Sequence, residues 1–262
     1  MSALRQRLNQ GLSLLAKGLQ INGDHLTKEI TSIAPFLIPF LKMCCVYFIL
    51  WLPSHQPTVT AAFVKILPIL SLIWFVCLQG VSWQPHHAYN RKILVGLVCS
   101  IAGDVLLVWQ HELVAFLAGM LCFGFAQLAY ISAFGFAPFG LKELVACLLI
   151  AVPLIVLLVG KISGVLLYPV LMYGALLLLM KWRALARCSI KNEIPWKKIF
   201  AACGAFLFVL SDSCIGINKF VWAIPAERVV IMTTYYAAQL CLSLSVVNSR
   251  LAMECTHCSK IK

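Results

Sequence analysis

The stretch Ile93–Phe134, ILVGLVCSIAGDVLLVWQHELVAFLAGMLCFGFAQLAYISAF, holds two apolar runs, Ile93–Trp109 and Leu113–Phe134, divided by the polar triplet Gln110-His111-Glu112. Each run has the length at which a helix rising about 1.5 Å per residue crosses a hydrocarbon core of roughly 30 Å. Asp104 lies inside the first run. Working outward, six further blocks have the same character: Pro35–Leu52, Val59–Gln79, Leu141–Val159, Val165–Trp182, Ile199–Phe220 and Val229–Val247. The segments between them are short and carry Pro, Gly, His or charge. The expected fold is therefore all-α, a polytopic membrane protein of eight transmembrane helices. Its expected organisation is an N-terminal segment 1–34, a membrane domain 35–247 and a tail 248–262.

Composition requires the same solvent. Hydrophobic residues fill 62% of 262 positions and charged residues only 11%, against roughly 45–50% apolar in soluble domains. No soluble fold of this size has enough interior to hide that surface. The first block starts too late and runs too long for a cleaved signal peptide.

The net charge of +12 raises the question of nucleic acid, and the placement of the cations answers it. Sixteen of the 21 Lys and Arg fall in 1–34, 80–92, 135–142, 181–198 and 248–262, segments that share one side of the membrane. The other side keeps Lys161, Lys219 and Arg228, while Lys42 and Lys65 lie within blocks. This asymmetry follows the positive-inside rule and puts both termini in the cytosol. No nucleic-acid partner is needed.

Twelve cysteines do not make a disulfide framework here, because most sit in apolar blocks, as Cys99, Cys122, Cys147 and Cys203 do. They are expected to be reduced, small hydrophobes. Cys255-Thr256-His257-Cys258 falls short of the four ligands of a structural zinc site. In the N-terminal segment, Leu4, Leu8, Leu12, Leu15 and Leu19 recur at helical spacing with Arg5, Arg7 and Lys17 elsewhere on the wheel. That pattern suits a helix lying on the cytosolic leaflet, with a partly disordered leader as the alternative.

The two halves echo each other with a period near 108 residues. Gly96 stands eight before Asp104, and Gly204 stands eight before Asp212. Ala126-Gln127-Leu128 is matched by Ala238-Gln239-Leu240, and Val64-Lys65-Ile66-Leu67-Pro68 is set against Val165-Leu166-Leu167-Tyr168-Pro169. A four-helix repeat keeps its orientation in both copies, which would make this a parallel 4+4 duplication. Chance similarity among apolar helices is the competing explanation.

Of nine acidic residues, only Asp104 and Asp212 fall well inside blocks. A carboxylate in hydrocarbon is costly, so it marks a site, a pathway or a partner. The plainer alternative is a neutral carboxyl hydrogen-bonded between helices. Lys65 and Tyr235 are expected at a similar depth, Lys65 either snorkelling to the headgroups or serving as counter-ion to one carboxylate. Gly96, Ser100, Gly103 and Asp104 share one stripe, as do Gly204, Ser211, Asp212 and Gly216, letting neighbouring helices approach the acids. Gln127, Tyr130, Asn218, Tyr236 and Gln239 are candidates for supporting or headgroup hydrogen bonds, or simply for interhelical ties.

There is no GxSxG elbow, HExxH or Walker loop, and His86, His87 and His111 fall in turns or block ends. The expectation is carboxylate chemistry with no metal and no cofactor. From the residues alone, a hydrolase and a proton-coupled transporter or scramblase that uses the same acids both stay open, as does a purely structural partner.

Several stretches carry a family pattern: Cys45-Val46-Tyr47-Phe48, Val64–Pro68, Gly103-Asp104, Leu210-Ser211-Asp212, Ile217-Asn218-Lys219-Phe220 and Val230–Gln239. Together they resemble the YhhN-type lysoplasmalogenases over about Pro35 to Val247, leaving residues 1–34 outside. The resemblance points to vertebrate members, which reside in the endoplasmic reticulum. It implies hydrolysis of the vinyl ether of a lysophospholipid substrate to a fatty aldehyde and a glycerophospho-base, among membrane lipids. It also implies Asp104 and Asp212 as catalytic residues, with Lys65 and Asn218 matching. The family commonly has His where this chain has Gln127, which can hydrogen-bond but not titrate. Protonating an enol ether at carbon creates an oxocarbenium ion for water to capture, a task akin to glycoside hydrolysis by paired carboxyl groups.

Overall fold

The computed structural model describes residues 31–50, 57–162, 164–189 and 196–247. The proposed leaflet helix near the N-terminus and the Cys255–Cys258 tail lie outside the described residues. Those residues form helices α1 (Thr31–Leu50), α2 (Val59–Leu78), α3 (Ala88–Leu106), α4 (Leu113–Phe134), α5 (Leu141–Val159), α6 (Leu167–Ala186), α7 (Trp196–Phe220) and α8 (Glu227–Leu244). No strand occurs among them. The chain divides into two compact units, one of residues 1–38 with 248–262, the other of residues 39–247. Of the first unit, only the opening turns of α1 are described.

Local chemistry sets the helix ends. Thr58 caps α2, its hydroxyl accepting the Ala61 N–H at 3.1 Å, which satisfies one of the donors a helix start leaves open. Helix α4 stops at Gly135, whose φ of 70° suits a residue without Cβ. The turn that follows is tied to the end of α6. Arg183 donates Nε to the Gly135 carbonyl at 2.7 Å, and Trp182 donates its indole N–H to the Gly140 carbonyl at 2.9 Å.

Burial runs opposite to that of a soluble protein. Ser100, Asp104, Gln127, Ser211, Gln239 and Ser243 are buried, while Leu149, Ile150, Val156, Val114 and Ile49 are exposed. On α5 only Cys147 is buried. Such a surface is stable only against lipid. Among the described residues, seven helices, α1 to α7, are long and apolar enough to span a membrane. Helix α8 is less apolar because it carries Thr233, Thr234, Tyr235, Tyr236 and Gln239, three of which it buries. The protein is an integral membrane protein.

Helices α2, α3 and α4 pack in sequence, as do α6, α7 and α8, and contacts of α2 and α3 with α8 and of α4 with α6 join the groups. Glycine permits the closest approaches. A Cβ on Gly96 of α3 would enter the ring of Tyr130 on α4. A Cβ on Gly204 of α7 would lie 2.9 Å from the Ala238 carbonyl oxygen of α8, a backbone contact that no rotamer change relieves. Each glycine thus draws the helix bearing an aspartate against its successor.

Candidate functional site

Asp104 on α3 and Asp212 on α7 border one cavity of about 200 Å³. A bare carboxylate in hydrocarbon is disfavoured, and the structure gives each a partner. Lys65 of α2 places Nζ 3.2 Å from Asp104 Oδ1 and 3.3 Å from the Asp104 carbonyl oxygen. Tyr235 of α8 donates its hydroxyl to Asp104 Oδ2 at 2.5 Å. Both oxygens of Asp104 are therefore held, one by a cation. Lys65 is the counter-ion and not a snorkelling side chain.

Asp212 is held differently. Its Oδ2 accepts the hydroxyl of Tyr173 on α6, and no Lys or Arg pairs with it among the described residues. Lys65 and Tyr173 each precede their aspartate by 39 residues. Sequence reasoning missed Tyr173 because it set the Lys65 segment against Val165–Pro169. The 108-residue spacing of the aspartates would have led to Tyr173 directly.

The remaining expected residues fall into two groups. Gln127, Tyr130, Tyr236 and Gln239 do not border the cavity, and the last three tie helices together. Tyr130 donates to Gln239 Oε1 at 2.9 Å, tying α4 to α8, and Tyr236 donates to the Lys65 carbonyl at 2.8 Å, setting α2 against α8. Gln127 is fully buried beside Tyr173, with neither amide atom in a hydrogen bond of ordinary geometry. Asn218 stands apart at the end of α7, where Oδ1 accepts the Ile224 N–H at 2.8 Å and folds the turn into α8.

Around the two acids the wall is apolar, built from residues such as Phe123, Leu154, Leu158, Leu171, Leu177 and Ile215. Phe123, Phe208 and Tyr235 meet edge to face, with centroids 5.7–6.1 Å apart, and fix the Tyr235 ring. A second, more polar cavity of about 350 Å³ adjoins the first and includes Asn218, His111, Lys219, Glu227 and Arg228. Lys65, Leu107, Ile215, Ile231 and Met232 border both. Together the two cavities are apolar at one end and charged at the other.

The family model that matches the chain is that of the YhhN family, over residues 60–246. The chain is 38% identical over 234 residues to lysoplasmalogenase TMEM86A of Bos taurus, covering 89% of this chain and 97% of that protein. It is 38% identical over 226 residues to lysoplasmalogenase TMEM86A of Homo sapiens, covering 86% of this chain and 94% of the relative. With human lysoplasmalogenase TMEM86B it shares 37% identity over 227 residues, 86% of this chain and 92% of the relative. No solved structure matches the chain. The family match takes in α2 through α8, and with them both aspartates, Lys65, Tyr173 and Tyr235, so the chain belongs to the YhhN family.

Proposed function

We propose that this protein is a lysoplasmalogenase, cleaving the vinyl ether of an alkenyl lysophospholipid to a fatty aldehyde and a glycerophospho-base. The observation that carries the proposal is the pair of intramembrane aspartates on one apolar cavity, one with a cation and one without. Extended similarity to relatives named lysoplasmalogenases supplies the substrate class.

The two settings assign two roles. Asp212, with no cation beside it, carries a proton in the resting state and delivers it to the vinyl carbon beta to the ether oxygen. That step leaves an oxocarbenium ion. Asp104, kept anionic by Lys65, stabilises the cation and accepts a proton from the water that adds to it, giving a hemiacetal. Asp104 then returns that proton to the glycerol oxygen as the carbon–oxygen bond breaks, and Asp212 takes the hemiacetal hydroxyl proton as the aldehyde forms. Both groups end as they began. Paired carboxyl groups in unlike environments divide acid and base roles in this way in glycosidases. Tyr173 and Tyr235 orient the carboxyl groups, and the apolar wall receives the alkenyl chain.

The proposal includes eight crossings, α8 among them, since its polar side chains face inward. A parallel 4+4 duplication is supported by the exchange of contacts between the groups: α2 packs on α8 as α6 packs on α4. Residues 1–34 and 248–262 flank the membrane domain on the cytosolic side, and the location is the endoplasmic reticulum. Single cysteines introduced at the termini of a Cys-depleted chain should react with an impermeant maleimide in sealed, cytosol-side-out vesicles without any permeabilisation. Labelling of one terminus from each side would refute the orientation.

The function itself is tested with purified protein and two substrates. An alkenyl lysophospholipid should release free aldehyde, while its saturated alkyl-ether analogue, having no vinyl carbon to protonate, should bind and remain intact. Transport or scrambling of the alkenyl lipid without aldehyde would instead support the transporter reading.

A further inference from the structure

The polar cavity beside the aspartate chamber has no role in the chemistry above, yet its charges are unusual for their position. Only three Lys or Arg, at 161, 219 and 228, lie on the face opposite the basic loops. Two of the three, Lys219 and Arg228, border this single cavity, together with Glu227. Cations are rare on that face under the positive-inside rule, so their convergence needs a cause.

The side chains are positioned. Lys219 sits at the last turn of α7, its Nζ 3.3 Å from the Gln110 carbonyl and 4.0 Å from the centroid of the Phe116 ring. Arg228, in the first turn of α8, donates Nε to the Tyr47 hydroxyl at 3.1 Å and lies over the Tyr47 ring. The turn between the two helices is fixed by Asn218, so both cations are carried on one braced corner. A phosphate diester is an anion that a Lys and an Arg bordering one cavity can hold between them.

We propose that this cavity is the headgroup subsite for the lysophospholipid: Lys219 and Arg228 take the phosphate, and Glu227 faces the ammonium of the base. The inference rests on the lysolipid reading given above. It fixes the direction of entry. With the headgroup outside Lys65 and the chain beyond Asp104, the short glycerol unit carries the vinyl ether to the wall that the two cavities share. Asn218 then serves as a positioning residue for the corner, and Lys219 and Arg228 as binding residues with no part in proton transfer.

The test uses equilibrium binding of a saturated alkyl-ether lysophosphoethanolamine to the full chain in detergent, beside the corresponding alkyl glycerol without phosphate. Binding of the uncleaved ether does not depend on catalysis, so failure of the hydrolase reading and failure of this one stay separate. Lys219→Gln should weaken the phospholipid roughly tenfold, the size of one charge-assisted hydrogen bond, and leave the alkyl glycerol unchanged. Arg228→Gln should do the same, and because Arg228 also packs on Tyr47, Arg228→Lys should recover most of the loss. Glu227→Gln should weaken the ethanolamine lipid but not one ending in phosphate alone. Equal weakening of both ligands, or no change in either, overturns the headgroup site.

Discussion

Asp104→Asn and Asp212→Asn are each expected to abolish most aldehyde release while leaving folded protein that still binds the saturated-ether lipid. The amide is nearly isosteric and introduces no charge; at position 104, only 2% exposed, it leaves Lys65 unpaired, so Asp104→Asn should lower the unfolding temperature, whereas Asp212→Asn breaks no ion pair. The amide can accept the Tyr173 or Tyr235 hydroxyl through its carbonyl oxygen, so local geometry should survive. What it cannot do is deliver the proton from position 212 or provide the anion at position 104. General acid–base steps are typically worth 10²–10⁴-fold, and turnover should fall by about that factor in each variant. Since the residues act in the same sequence of steps, the double variant should be little worse than either single one. The measurement is aldehyde formed per purified, monodisperse protein, with lipid binding as the control for folding.

Lys65→Met is expected to be both less stable and nearly inactive, and the two effects should separate in a double variant. Removing Lys65 leaves Asp104, whose side chain is only 3% exposed, without its cation. Breaking a buried pair by deleting one member costs about 3–5 kcal/mol. Adding Asp104→Asn removes the orphaned charge, so Lys65→Met with Asp104→Asn should unfold at a higher temperature than Lys65→Met alone while staying as inactive. A snorkelling lysine unconnected to the site predicts instead that Lys65→Met has little effect on either quantity. Thermal unfolding and aldehyde release on the two single variants and the double one complete the cycle.

The helices are more legible in the sequence than the side-chain partnerships they create. Eight apolar blocks became eight helices with ends displaced by a few residues, because a hydrocarbon solvent leaves the backbone few alternatives to a helix. Asp104, Asp212 and Lys65 stood out for the same reason, as charges that hydrocarbon tolerates only with a partner. The partnerships were harder to see. Tyr235 and Tyr236 are adjacent, yet the first donates to Asp104 and the second to the Lys65 carbonyl, a choice set by the rotation of α8. Tyr173 resembles an ordinary aromatic in an apolar helix, and only its distance from Asp212 distinguishes it. Asn218 is a candidate in the sequence for a supporting or a headgroup hydrogen bond, and its side chain folds a turn next to the second cavity. Helix α8 was visible as a block, although its inward polar face lowers its apolar character.

Protonation of the vinyl carbon followed by capture of water specifies which carbon–oxygen bond breaks, and isotope placement reports it. The decisive measurement is a mass spectrum of the glycerophospho product formed by the wild-type protein from an alkenyl lysophospholipid in heavy-oxygen water. Water adds to the oxocarbenium carbon, so the label should enter the aldehyde, and the glycerol hydroxyl should keep the original ether oxygen. An unlabelled glycerophospho-base released together with aldehyde is the predicted result. Label in the glycerol hydroxyl, or no aldehyde from the purified protein, would contradict the account.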